Sequence, residues 1–198
     1  MTELQRRLES LALRVRQGIR PGLSGIRELD QRCGEPSKQL RAVVVAGTNG
    51  KGTCCRALEA IARAHGLKVG LFTSPHRSKF NQRFRLDGAD AADAQILRWM
   101  DAVDHRDFTF FEVSTAMAFF GFAEAGVDLA ILEVGMGGRL DAVNLVDAVA
   151  SAVVSISRDH EAFLGRELHQ IAREKLGVAR PGMPLVLGRK MEPYLGLA

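Results

Sequence analysis

The feature that most narrows the fold is a change of rhythm at residue 47. Residues 41–46 read RAVVVA, a short β-branched run of the kind that forms a buried strand, and the run stops at Gly47. Gly47-Thr48-Asn49-Gly50-Lys51-Gly52-Thr53 follows, and residues 51–65 then read as a helix with Leu58, Ile61 and Ala62 on one face. A second strand at 69–72 completes a βαβ unit, and with it a parallel sheet. Further strands are expected at 128–134, 150–156 and 185–187, between helices at about 91–104, 110–125 and 166–176. Ahead of the first strand, Leu4, Leu8, Leu11 and Val15 recur at helical spacing in a helix ending near Gly18, and a short helix follows at 24–33. Residues 73–90 are charged and aperiodic, and read as a loop. The expected class is α/β, a P-loop-type parallel sheet with helices on both faces, with no repeat and no linker to mark a second domain among the 198 residues.

Composition removes several classes of function. A hydrophobic share of 46% and a mean hydropathy of −0.01 supply a core and argue against disorder. The most apolar stretch, 108–125, carries Glu112 and Glu124 and falls short of a membrane span, so no membrane partner is expected. The net charge of +4 is spread along the chain without a basic stripe and interleaved aromatics, so no nucleic-acid partner is expected either. Residues 1–20 mix Arg and Glu and hold no apolar signal segment. Three cysteines, two of them adjacent at Cys54 and Cys55, make no disulfide framework, which points to a cytoplasmic protein.

The chemistry begins at the end of the first strand. Glycines between a strand and a helix let backbone N–H groups turn toward a phosphate, and the helix N-terminus favours negative charge. Lys51 would neutralise β- and γ-phosphates, with Thr53 near magnesium. The match to G-x-x-x-x-G-K-[ST] is not literal, since Gly52 intervenes between Lys51 and Thr53, and a plain strand-to-helix turn is the structural alternative. A second cluster, Glu133-Val134-Gly135-Met136-Gly137-Gly138-Arg139-Leu140-Asp141, places a carboxylate at a strand's carboxyl edge, either for a cation or as a polar strand end before a turn. In the third, a helical wheel sets Lys175 within about 20° of Leu168, on the stripe of Ile171 and Ala172. An ammonium there must find a partner, be neutralised chemically, for instance by carbamylation, or snorkel along the helix end. His160, after Asp159, lies at another strand's carboxyl edge, as a metal ligand or a structural histidine.

The segments VVAGTNGKGT, TSPH followed by FNQR, FFEVSTA, DLAILEVGMGGRLDAVN, DHEAFLG and IAREKLGV resemble, in order, the folylpolyglutamate synthase family of Mur-type ligases, above all its bifunctional bacterial dihydrofolate synthases. The resemblance runs from GLSGIREL at Gly22 to the chain end. It implies the central ATP-binding domain of such a ligase, preceded by N-terminal helices. It also implies that the chain stops short of a C-terminal glutamate-binding domain. ATP would lie on Thr48, Asn49, Gly50, Lys51, Gly52 and Thr53, with magnesium on Ser74, Glu133 and His160. Lys175 matches the carbamylated lysine, and the pterin would lie around Thr109, Phe110, Phe111 and Glu112 and near Leu140, Asp141 and Ala142. Thr109 and Glu112 also have the spacing of a capping box, which needs no ligand.

The implied reaction joins L-glutamate to dihydropteroate or a folate through an acyl phosphate made with ATP. Four positions depart from the family pattern: Gln82 for Glu, Arg158 for an apolar residue, Val143 for Thr and Arg77 for Leu. Two other readings stand beside the ligase: a nucleotide-binding module without ligase chemistry, and an interaction protein whose open sheet edge pairs with a C-terminal half supplied in trans.

Overall fold

A computed structural model describes residues 2–13, 22–103, 107–189 and 191–197. The strands richest in β-branched and apolar residues occupy the middle of the sheet, as burial on both faces requires. These are β1 (Ala42–Ala46), β2 (Val69–Phe72) and β5 (Leu129–Glu133), with β3 (Phe84–Leu86), β4 (Ala89–Asp90), β6 (Ala148–Val153) and β7 (Leu185–Leu187) outside them. The order is β4-β3-β2-β5-β1-β6-β7. The five strands from β2 to β7 in that order are parallel, with Val45 of β1 level with Glu133 of β5 and Ala152 of β6.

The sheet is mixed rather than wholly parallel. The stretch 73–90, expected to be a loop, folds as β3 and β4, each antiparallel to its neighbour, and extends the sheet beyond β2. These strands have three and two residues, too few for a period of two to emerge. What holds them is distant in sequence: Arg85 Nε donates to Glu59 Oε1 at 3.0 Å, and its Nη1 donates to Asp90 at 2.7 Å.

Helices cover both faces. On one lie α1 (Glu3–Ala12), α2 (Ser24–Arg32), α4 (Asp93–Ala102) and α5 (Phe110–Ala125), closing the larger core around Phe72, Phe84, Trp99, Phe119 and Phe122. Val15 and Gly18, in the expected first helix, lie outside the described residues. α5 is buried almost all round, which explains its lack of a polar face. Gly70 and Gly121 let it in: a Cβ would stand 2.6 Å from the Phe122 ring at the first and 2.5 Å from Trp99 at the second. On the other face α3 (Lys51–Ala64) packs Cys55 and Ala62 against Val45, Val69, Leu71 and Ile131. Ile61, expected on that face, is instead 58% exposed, and Glu59 is buried because Arg85 reaches it. Beyond β6 the short α6 (Glu161–Leu164) and α7 (Leu168–Leu176) precede β7.

Candidate active site

The carboxyl ends of β1, β2, β5 and β6 bring four segments to one edge, with β5 inserted between the strands that precede and follow α3. Such a switch of strand order opens a crevice in an open α/β sheet. Gly47 leaves β1 with φ 144°, and Gly50 takes φ 82° as the residue that starts α3, so glycine is required at both. The loop is braced by the exit of β6. Thr48 N donates to Ser155 O (2.9 Å), Asn49 N to Ser155 Oγ (2.9 Å), and Ser157 N to Thr48 Oγ1 (3.1 Å). Ser155 and Ser157 were not singled out by the sequence, because their role depends on strands 106 to 109 residues apart lying side by side. The loop's outer rim, Asn49, Gly50 and Thr53, is exposed.

Two lysines converge under this loop. Lys51 Nζ donates to the carbonyl oxygens of Gly47 (3.0 Å) and Thr48 (3.3 Å), and Lys175 Nζ to that of Gly47 (3.1 Å). Lys175 is 2% exposed and points inward beside Ile171, Ala172 and Leu176, whereas Leu168, expected on the same stripe, is 39% exposed. Burial, reinforced by the Lys51 charge and opposed by Asp159 and Asp141, lowers the Lys175 pKa to about 8. It does not snorkel.

Glu133 lies at the end of β5, between the loop and the strand after it. Its Oε2 accepts from Ser74 N at 2.9 Å, and the carboxylate approaches Gly52 so closely that a Cβ there would stand 3.5 Å from Oε1. Burial raises its pKa, against the pull of the Ser74 and Gly52 N–H groups, Lys51 and Arg83. Glu133, Ser74 and His160 offer a carboxylate, a hydroxyl and an imidazole; among the described residues no group of three His, Cys, Asp or Glu side chains is placed to hold a metal. One carboxylate and one hydroxyl still suit magnesium, which keeps waters and takes substrate phosphate oxygens. His160 holds a left-handed φ of 49° at the start of α6, with Nε2 3.6 Å from Asp159 Oδ1.

Next to Ser74 opens a cavity of about 580 Å³. It gathers Ser74 and His160 with Thr109, Phe110, Phe111, Glu112, Leu140, Asp141 and Ala142, while the loop residues Thr48–Thr53, Glu133 and Lys175 stand outside its wall. The Thr109–Glu112 capping box is formed: Glu112 N donates to Thr109 Oγ1 (3.3 Å), and Glu112 Oε2 accepts from Thr109 N (2.8 Å). Asp141 accepts from the N–H groups of Met136 (2.9 Å) and Val143 (3.1 Å), yet its burial pushes its pKa up to about 7. Gly135 lets the turn pass under Phe111, where a Cβ would stand 2.7 Å from the ring. Arg83, Phe163, Leu164 and Glu174 also line the cavity, and none of them was picked out as a site residue from sequence.

Of the four unusual positions, Gln82 is accounted for by its contacts. Its Oε1 accepts from the N–H groups of Arg77 (3.1 Å), Ser78 (3.0 Å) and Lys79 (3.4 Å), a role an amide oxygen fills as a carboxylate would. Val143 is buried and contributes its backbone N–H, and Arg77 and Arg158 are exposed.

No protein-family model matches the chain. Curated relatives do: it is 38% identical over 184 residues to the dihydrofolate synthase/folylpolyglutamate synthase of Bacillus subtilis, covering 87% of this chain and 43% of that one. The Escherichia coli protein of the same name is 40% identical over 176 residues, at 87% and 42%. Among solved structures, E. coli FolC in complex with DHPP and ADP superposes with a TM-score of 0.93 at 36% identity, over 98% of this chain and 48% of that one. A bifunctional folylpolyglutamate synthase/dihydrofolate synthase with Mn, AMPPNP and L-glutamate bound gives a TM-score of 0.88 at 36% identity, over 99% and 49%. The chain thus spans just under half the length of these proteins. In sequence and in fold the chain matches the folylpolyglutamate synthase family along nearly all of its own length and just under half of theirs.

Proposed function

We propose that this chain carries the nucleotide- and pterin-binding portion of an ATP-dependent carboxylate–amine ligase that adds L-glutamate to dihydropteroate or a folate. The observation that carries the reading is the junction at Glu133 and Ser74, where a braced, lysine-bearing glycine loop meets a largely apolar cavity. A related structure binds DHPP and ADP, and another Mn, AMPPNP and L-glutamate, which supports the same division of labour here.

In this reading the N–H groups of Gly50, Lys51 and Thr53 and the Lys51 ammonium hold the phosphates, while Thr48, Asn49 and Gly52 shape the loop through their bonds to Ser155 and Glu133. Phe110, Phe111 and the Leu140–Ala142 turn hold the flat pterin acid, and the Thr109–Glu112 box keeps α5 in register behind it. The acid's carboxylate oxygen attacks the γ-phosphorus; the bond to the β-γ bridging oxygen breaks and ADP leaves. The glutamate amine then attacks the acyl carbon, loses its proton to solvent, and phosphate departs. The chain's own contribution is alignment and neutralisation of charge. Ser74, Glu133 and His160 would hold magnesium, which supplies charge stabilisation on the phosphoryl oxygens. Lys175 is the carbamylation site in this reading: its pKa of about 8 leaves free amine available near neutral pH, and the carbamate would offer oxygen ligands. A glutamate-binding part, in the same polypeptide or a second one, completes the reaction. With Cys54 and Cys55 free, a reducing cytoplasmic setting belongs to the same reading.

Calorimetry with ATP or ADP and magnesium tests the loop. Lys51→Ala is expected to abolish nucleotide binding, and unchanged affinity in a folded variant would remove the loop assignment and the ligase reading with it.

A further inference from the structure

Among the described residues of the cavity wall, Arg139 is paired with Glu174, whereas Arg83 forms no ion pair. Arg83 is 7% exposed and lines the cavity wall beside Ser74. Its backbone is pinned at the β2 exit, where its carbonyl accepts from Thr73 N at 2.9 Å. Its guanidinium carbon stands 5.1 Å from the centre of the Phe110 ring and 5.9 Å from that of Phe80, so the group is stacked and its direction fixed. Nε donates to His76 Nδ1 at 3.0 Å; among the described residues this is the side chain's only hydrogen bond, and no carboxylate pairs with it. His76 is no counter-ion: its Nδ1 accepts this hydrogen bond, and an imidazole carries no negative charge. Burial lowers the Arg83 pKa too, and Glu133, near enough to be felt, opposes this without forming an ion pair.

A guanidinium has five donors and stays charged, and leaving such a charge buried and unpaired is expensive unless a ligand completes it. Its planar fork matches a carboxylate. Its backbone is bonded to Thr73, the residue before Ser74, and the charge of Glu133, which accepts from Ser74 N, reaches the guanidinium, so Arg83 lies on the side of the cavity that faces the nucleotide loop. We infer that Arg83 receives the carboxylate of the pterin-bearing acid, the group that is to be phosphorylated, and fixes it at the border between cavity and loop. The aryl ring that carries this carboxylate then lies against Phe110, whose ring already stacks with the guanidinium. This rests on the ligase reading above and adds to it a residue that sets substrate specificity: acids enter, and neutral pterins of the same shape do not.

The test is titration calorimetry of this chain, with ADP and magnesium present, against pteroate and against its methyl ester. The wild type is expected to favour the acid by about 10- to 100-fold, the range for a charge-assisted pair. Arg83→Met keeps the bulk between Phe80 and Phe110 and should erase the preference by weakening the acid alone, while Arg83→Lys should retain part of it. Unchanged ADP affinity certifies the fold of each variant. If the methionine variant fails to fold, the wild-type preference and the lysine variant decide. Equal affinity of the wild type for acid and ester overturns the assignment while leaving the pterin site intact, as does a methionine variant that weakens both equally. A wild type that binds ADP but neither pterin compound refutes the ligase reading, and Arg83 as carboxylate receptor falls with it.

Discussion

Replacing Lys175 by methionine is expected to stabilise the folded chain near neutral pH while removing a group that the proposed reaction needs. Lys175 titrates near 8 in the fold against 10.5 when unperturbed, so holding the ammonium in the interior costs about 3 kcal/mol below pH 8. Methionine removes that cost and fits beside Ile171 and Leu176. The hydrogen bond from Nζ to Gly47 O is lost, at about 1 kcal/mol, but this carbonyl keeps Lys51 Nζ at 3.0 Å and is not orphaned. The net gain at pH 7 is about 2 kcal/mol. The sign with pH follows from proton counts. Between pH 8 and 10.5 the unfolded chain holds a proton on Lys175 that the folded chain has released, so wild-type stability rises with pH across this window. The advantage of methionine should therefore shrink through it and reverse by about 1 kcal/mol near its upper end. Urea unfolding of both proteins at a series of pH values, in bicarbonate-free buffer, measures the difference directly. A difference that does not change with pH, or a methionine variant less stable at pH 7, would refute the account of Lys175 as a buried, uncompensated amine. Added bicarbonate should increase the mass of the wild type alone, by one carbon dioxide.

Asp141 supplies a slope of the opposite sign at lower pH. With its pKa at about 7 rather than 3.8, the folded chain holds a proton that the unfolded chain has released, so its contribution to stability is lost as pH rises through that window. Asp141→Asn should flatten the slope in urea titrations, and an unaltered slope would count against burial as its cause. Gly138→Ala should destabilise by about 2 kcal/mol, because a Cβ there would stand 2.8 Å from the backbone oxygens of both Glu174 and Lys175. Gly196→Ala, with nothing within 4 Å, is the neutral control, and equal melting temperatures for the two would show that the turn is not packed against α7 as described.

The βαβ start of the fold was legible because the sequence changes period at Gly47, and α5 because sixteen residues without a polar face leave no place but the interior. The hairpin of β3 and β4 was not, since its stability comes from Arg85 reaching Glu59 on α3, a pairing with no local trace. The same ion pair explains the misassigned face of α3: Glu59 goes inward and Ile61 outward once Arg85 is counted. In the site, the glycine turns and the Thr109–Glu112 box announce themselves by spacing. Arg83 and His76 close the FNQR and TSPH segments, but no spacing marks either as a site residue. They fall in the aperiodic stretch, and what they do depends on Phe110 arriving from another element. Ser155 and Ser157 were missed for the same reason, a meaning that exists only across strands.

The carbonyl of Gly47 is claimed by two ammonium groups, one from the residue that opens α3 and one from a residue 128 positions downstream of the carbonyl. The positive charge of Lys51 makes Lys175 harder to keep protonated. A polyanion settling on the loop would screen both at once and so favour the charged form of an unmodified Lys175. Reciprocity then requires that discharging Lys175 loosen the grip on the polyanion. Loop filling and the ionic state of α7 are two faces of a single equilibrium, joined through one backbone oxygen.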